Sequence, residues 1–213
     1  MKKLVSLALS AVLALSVVAC GSSDTAASTT ESTSENSDAT ASADGAFKIG
    51  GIGPITGGAA IYGQAVMNAA QMAVDKINAD GGINGYQVEF RFEDDEHDAE
   101  KSVNAYNTLK DWGMQMLMGT VTSTPCTAVV AKTAEDNMFQ LTPSGSAVES
   151  IAPANAFRVC FSDPNQGTAS AQYIGENKLA NKVAVIYNSS DVYSSGIYQT
   201  FATEAANQGF EVV

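Results

Sequence analysis

The chain has 213 residues, with 11 Lys and Arg against 23 Asp and Glu and a formal charge of −12. A balance this acidic repels nucleic acids and anionic lipid surfaces, which excludes both as partners of the charged body and leaves small molecules and proteins.

Lys2 and Lys3 precede an apolar run over residues 4–19 that ends in small residues directly before Cys20, the pattern of a secretory signal. The run is too short to span a bilayer comfortably. Val17, Val18, Ala19 and Cys20 resemble the lipobox of bacterial lipoproteins, which implies removal of residues 1–19 and a lipid anchor on the Cys20 sulfur. The alternative is an ordinary cleaved signal with an incidental cysteine. Without Lys2 and Lys3, 9 basic residues face 23 acidic ones, a balance of −14. Residues 21–45 hold seven Ser, five Thr, five Ala and five acids, with no aromatic or large aliphatic side chain. Such a segment cannot bury enough surface to fold and reads as a tether, with an end-to-end span of roughly 25–30 Å. The expectation is a signal over 1–19, a lipid-anchored linker over 20–45, and a folded body outside the cytoplasm at the cell membrane.

From Phe47 the pattern changes. "FKIGGIG" predicts a buried strand followed by a loop. Val66, Ala69, Ala70, Ala73, Val74 and Ile77 predict one apolar helix face, stopped by Gly81 and Gly82. Alternation of Val88, Phe90 and Phe92 predicts a second strand, and residues 98–112 a helix with Val103, Tyr106 and Leu109 inward. "MQMLMGT" is a third strand, and Pro125 sits in the first turn of a helix capped by Ser123 or Thr124, with Val129, Val130 and Ala134 on one face. "MFQLTP" and "AFRVCFS" follow as strands, then a helix over 165–178, a strand "KVAVIYN", a helix over 194–208 closed by Gly209, and a strand starting at Phe210. Alternating strands and helices predict an α/β fold with a doubly wound parallel sheet. The last strand begins where the sequence stops, so the chain reads as part of a longer protein, and a cleft made from these residues alone is expected to retain ligand poorly.

In an open parallel sheet, ligands sit beyond the carboxyl ends of the strands. The segments after the predicted strands, "PITGGAAIYGQ", "VTSTPCT", "TPSGSAV" and "NSSDVYSSG", are dense in glycine, hydroxyls or tyrosine, and all fall on that edge. A helix beginning at Thr124 and Pro125 presents free N–H groups to a carboxylate, and neutral hydroxyls beside it orient a ligand without adding charge. The acids and His97 in "EDDEHD" lack the ligand spacing and central glycine of a calcium loop, and a single histidine makes no zinc pattern, so no metal site is expected. "GGIGPITGG" misses the third glycine of a dinucleotide fingerprint, and "PSGSA" does not form a nucleophile elbow. Neither a dehydrogenase nor a serine hydrolase is indicated, and no cofactor is expected. Cys126 and Cys160 are left as one pair that an oxidising compartment could join.

The run "GPITGGAAIYGQAVMNAAQMAVDKINADGGINGYQVEFRFEDDEHD", followed by "GTVTSTPCTAV", "LTPSGSA", "FRVCFSDPNQG" and "VAVIYNSSDVYSSG", is similar to the solute-binding proteins of branched-chain amino-acid ABC importers. The similarity covers nearly all of residues 47–213. It implies a type I periplasmic-binding-protein, or venus-flytrap, structure, with one lobe over 46–162 and an incomplete second lobe over 163–213. It further implies a monomer that closes on a free amino acid, catalyses no reaction, and delivers its ligand to an ABC permease and ATPase complex. By position, Ser123 and Ser146 match hydroxyls that grip the ligand's α-carboxylate and α-ammonium, Ser144 a residue offering its backbone carbonyl, Tyr62 a tyrosine at the first-lobe mouth, and Tyr193 one from the second lobe. The acidic partner of the ammonium lies beyond residue 213 in that family. Some members carry a disulfide between the loops after the second and third strands; here His97 and Thr122 occupy those places. Which amino acid is bound stays open, and the same fold serves sensory ectodomains and chemoreceptor partners. Each residue also has a plainer role: Ser123 as a helix cap, Ser144 and Ser146 as turn residues, Tyr62 and Tyr193 as half-buried packing.

Overall fold

The computed structural model describes residues 45–213, so the expected signal, Cys20 anchor and tether up to residue 44 lie outside the described residues. Strand β1 (Ala46–Gly53) runs through the middle of a five-stranded sheet and is buried from Gly50 onward. It pairs in parallel with β2 (Gln87–Asp94), from Ala46 opposite Gln87 to Gly53 opposite Asp94. On its other side lies β3 (Met116–Gly119), paired from Ile49 with Met116 to Ile52 with Gly119. Beyond β3 come β4 (Gln140–Thr142) and β5 (Ala156–Arg158), also parallel. The order is therefore β2-β1-β3-β4-β5. Chain connections leave β1 and β3 in opposite directions, so the crevice between their carboxyl ends is the topological switch point where this architecture places ligands.

Helix α1 (Ala60–Ala79) connects β1 to β2, and α2 (Ala99–Trp112) connects β2 to β3. Asp98 starts α2 by accepting a hydrogen bond from Lys101 N at 2.8 Å, and Gly113 ends it in the left-handed region at φ 89°. Tyr106 and Leu109 from α2 join Ile52, Met114, Leu117 and Val129 in the principal core. The expected apolar face of α1 is buried only at Val74, while Ala69 and Ala73 are exposed. Alanine contributes little area, and the contact is set instead by Gly63, where a Cβ would stand 1.9 Å from the Pro54 carbonyl oxygen. Glycine there lets the first turn of α1 lie directly on the loop leaving β1. Gly82 acts similarly in "NADGGING": its φ of 78° and the 2.1 Å approach of a Cβ to Tyr86 O allow the turn that brings Ile83 and Tyr86 together before β2.

Helix α3 (Ser123–Glu135) starts one residue earlier than expected, and neither Ser123 nor Thr124 is its cap. Thr122 holds that position without a side-chain hydrogen bond to the helix. A 3-10 turn (Val148–Ile151) separates β4 from β5, and α4 (Asp163–Glu176) follows, capped by Ser162, which accepts from Asn165 N at 3.3 Å.

The strand expected over "KVAVIYN" is assigned only at β6 (Lys182–Val183), paired in parallel with β7 (Glu211–Val212). Among the described residues nothing extends that ladder past Val183, and Ile186 is wholly exposed. Helix α5 (Val192–Gln208) joins the two, with Asp191 as cap and Gly209 closing it at φ 79°. Phe201 and Ala205 of α5 pack with Ala171 of α4 and Phe210 to form a second core.

Candidate functional site

The loops at the carboxyl edge of the large sheet and the start of α5 enclose a cavity of about 360 Å³, within the range of ~300–1,000 Å³ common for small-molecule clefts. Tyr62, Ser123, Ser144, Ser146 and Tyr193 all line it. Each comes from a different place in the chain: the first turn of α1, the first residue of α3, two positions after β4, and the first turn of α5.

Ser123 is 3% exposed. Its Oγ accepts hydrogen bonds from Ser146 N at 3.1 Å and Ala147 N at 3.2 Å, which ties the loop after β4 to the head of α3. With both lone pairs engaged, the hydroxyl hydrogen is left to donate, the polarity a carboxylate requires. The α3 dipole adds partial positive charge at the same end. Ser144 Oγ donates to Val121 O at 2.5 Å, fixing the turn that it occupies. Ser146 Oγ is buried beside the Asp163 carboxylate, yet neither Ser146 Oγ nor either Asp163 oxygen has a partner of normal hydrogen-bond geometry among the described residues. Burial pushes the Asp163 carboxyl above its ordinary range, against the opposing effects of the Ser146 hydroxyl and Arg158. Tyr62 is 64% exposed at the mouth, and Tyr193 shares a 3.4 Å hydrogen bond with the Gln166 amide. These two tyrosines therefore sit at the rim, while the serines form the floor.

A buried polar layer holds that floor in place. Gln140 Nε2 donates to Gly119 O at 2.9 Å, Thr133 Oγ1 donates to Gln140 Oε1 at 2.6 Å, and Thr142 Oγ1 donates to Thr120 O at 2.6 Å while accepting from Gly145 N at 2.8 Å. Satisfied networks of this kind rigidify the segments that they join.

The acids after β2 hold loops together. Asp94 Oδ1 accepts from Ile55 N and Glu96 N, both at 2.9 Å, and Asp94 Oδ2 accepts from Thr56 Oγ1 at 2.5 Å. Burial raises the Asp94 carboxyl, but hydrogen bonds from Thr56, Ile55 and Glu96 outweigh it and hold the group below the usual carboxylate range. Asp95 is fully buried and pushed up to about 6, chiefly by burial, with the charges of Asp94 and Asp98 adding to the rise against a hydrogen bond from His97 N. His97 and Thr122 lie side by side with Nδ1 and Oγ1 2.9 Å apart. Both line the cavity, as do Cys160, Phe161 and Asp191, none of which the residue pattern singled out as site residues. Asp191 was legible only as part of "NSSDVYSSG", and Phe161 carried no signal beyond its strand. Cys126 is buried beneath the floor and Cys160 is at its edge; both thiols are free.

The sequence profile described as periplasmic binding protein matches residues 46–213. The chain belongs to that family. Its relatives include the Leu/Ile/Val-binding protein BraC3 of Rhizobium johnstonii, 35% identical over 168 residues that make up 78% of this chain and 46% of the relative. The isoleucine complex of the branched-chain amino acid transporter substrate-binding protein LivJ from Streptococcus pneumoniae superposes with a TM-score of 0.73 at 28% identity, covering 79% of this chain and 48% of that one. The leucine-binding protein LivK of Thermotoga maritima gives 0.72 at 26% identity, covering 78% and 47%. This periplasmic binding protein chain thus spans about half the length of the relatives it matches, with the type I fold.

Proposed function

We propose that this chain supplies one lobe and the beginning of a second in an extracytoplasmic solute-binding protein, and that its cavity captures the main-chain end of a free amino acid. The division falls near residues 162 and 163, where β5 gives way to α4. The single observation that carries the reading is the convergence of Tyr62, Ser123, Ser144, Ser146 and Tyr193 on one cavity at the switch point. Ser123 and the start of α3 would take the α-carboxylate. Ser146, with the buried Asp163 behind it, would take the α-ammonium, and the Ser144 carbonyl would assist. Charge-assisted hydrogen bonds contribute about 1.5–3 kcal/mol each, so three or four reach the order of −8 kcal/mol that micromolar affinity needs. No bond is made or broken.

The relatives named for leucine, isoleucine and valine support a branched aliphatic ligand. On this reading the protein is anchored through Cys20 and hands its ligand to an ABC permease. Calorimetry of the full-length protein against the common amino acids tests it: a saturable one-site isotherm with at least one of them is expected, and no heat across the panel would remove the amino-acid assignment.

A further inference from the structure

His97 is the chain's single histidine. Glu96 and His97 adopt φ values of 48° and 62°, and the imidazole lines the cavity. Its Nδ1 lies 2.9 Å from Thr122 Oγ1, and its Nε2 lies 3.7 Å from Asp191 Oδ1. The ring therefore reaches from the switch-point loops of the large sheet to the cap of α5. Asp191 is held in two further ways: Oδ2 accepts from Ser194 N at 2.9 Å, and Oδ1 accepts from Thr124 Oγ1 at 3.2 Å. One carboxylate from the second part of the chain thus receives two side chains from the first.

We propose that His97 and Asp191 form a proton-controlled clasp between the two parts of the cleft, drawn tighter when the imidazole is charged. Its consequence for ligand retention rests on the amino-acid-capture reading; the contact itself does not. Imidazole is the side chain whose charge changes within about pH 5–8. The charged ring sets a full positive charge 3.7 Å from the Asp191 carboxylate, whereas the neutral ring, with Nδ1 accepting from the Thr122 hydroxyl, keeps the contact without that attraction. The His97 and Asp191 side chains are 39% and 16% exposed, so the pair is only partly screened. The other charged groups nearby are the acids Asp94, Asp95, Glu96 and Asp98 of the same loop, with Lys101 of α2 tied to Glu96 at 2.7 Å. From α4, Asp163 adds negative charge near Asp191. Around the cavity the remaining titratable groups are the Tyr62 and Tyr193 phenols and the Cys160 thiol, the last pushed up chiefly by burial. Asp95 works against the clasp, because it gains a proton as the pH falls through about 6 and withdraws negative charge from beside the ring.

The sign follows. As the pH falls from 8 to 5.5, the clasp strengthens, and affinity for ligand is expected to rise about threefold, the scale of a partly exposed ion pair.

Two experiments decide it. Urea unfolding of the full-length protein is compared at pH 8 and 5.5 for the wild type and for Asp191→Asn. Asp191→Asn keeps one oxygen to cap α5 while removing the charge and the second acceptor, which faces Thr124. The stability advantage of the wild type over the variant is expected to grow as the pH falls, and an advantage that does not change would overturn the clasp. In the full-length protein, L-leucine affinity by calorimetry should rise about threefold from pH 8 to 5.5 relative to His97→Gln; equal pH dependence in both would also overturn it. Should the wild type bind no amino acid, the capture reading fails and the urea comparison alone decides the clasp.

Discussion

Ser123→Ala deletes one oxygen atom and leaves two buried amide hydrogens without an acceptor. Those amides belong to Ser146 and Ala147, each 2% exposed, and both now point at Ser123 Oγ. A buried donor left unpaired costs about 1–3 kcal/mol, so the pair predicts a loss of roughly 2–6 kcal/mol. That is a large share of the ~5–15 kcal/mol that holds an ordinary domain together. With a urea slope of about 1–3 kcal/mol per molar, the unfolding midpoint should fall by roughly 1–2 M in a titration followed by far-ultraviolet circular dichroism. Ligand affinity should drop at least about tenfold, because the lost hydroxyl hydrogen is also the donor assigned to the carboxylate. A stability loss below about 0.5 kcal/mol, the size of an ordinary surface change, would show that the loop after β4 is not tied to α3 through this oxygen.

Tyr62→Ala separates binding from folding. The ring is 64% exposed, so stability should move by less than about 0.5 kcal/mol, while affinity falls by about tenfold, as for a rim aromatic that covers a ligand; an unchanged isotherm would remove Tyr62 from the site. Asp95→Asn tests the buried carboxyl. Its folded pKa of about 6 lies above the unfolded value of 3.8, so the folded state holds the extra proton between them and stability declines as the pH rises through that window. The total is on the order of 3 kcal/mol. The gap between variant and wild type in urea midpoints should therefore move in the variant's favour between pH 4.5 and 7.5, and a constant gap would contradict the burial argument.

Much of this architecture is legible in residue order because local and tertiary preferences agree. Val88, Phe90 and Phe92 alternate where β2 forms, and Asp98 and Gly113 bracket α2 as cap and left-handed stop. The alanine-rich stripe of α1 misleads because spacing reports a face without its area: Gly63, which has no side chain, sets the packing against Pro54. The expected strand over "KVAVIYN" outruns β6 because a run of apolar residues predicts burial, whereas a strand requires a ladder partner, which β7 supplies for two residues. At the site, the hydroxyl-rich loops announced themselves by composition. His97 and Asp191 did not, since a histidine among acids looks like solvated loop and an aspartate before a helix looks like a cap. Asp191 is a cap. It also faces His97 across the cavity, a relation between residues 94 positions apart that only the fold brings together.

The claim on which the rest depends is that Ser123 and the head of α3 receive a carboxylate. A crystal structure of the full-length protein with its bound amino acid tests this most directly. The account predicts a carboxylate oxygen within about 2.7–3.2 Å of Ser123 Oγ, and an ammonium on the Ser146 side. A ligand seated elsewhere, or lying in this cavity with its ammonium against Ser123, would contradict it.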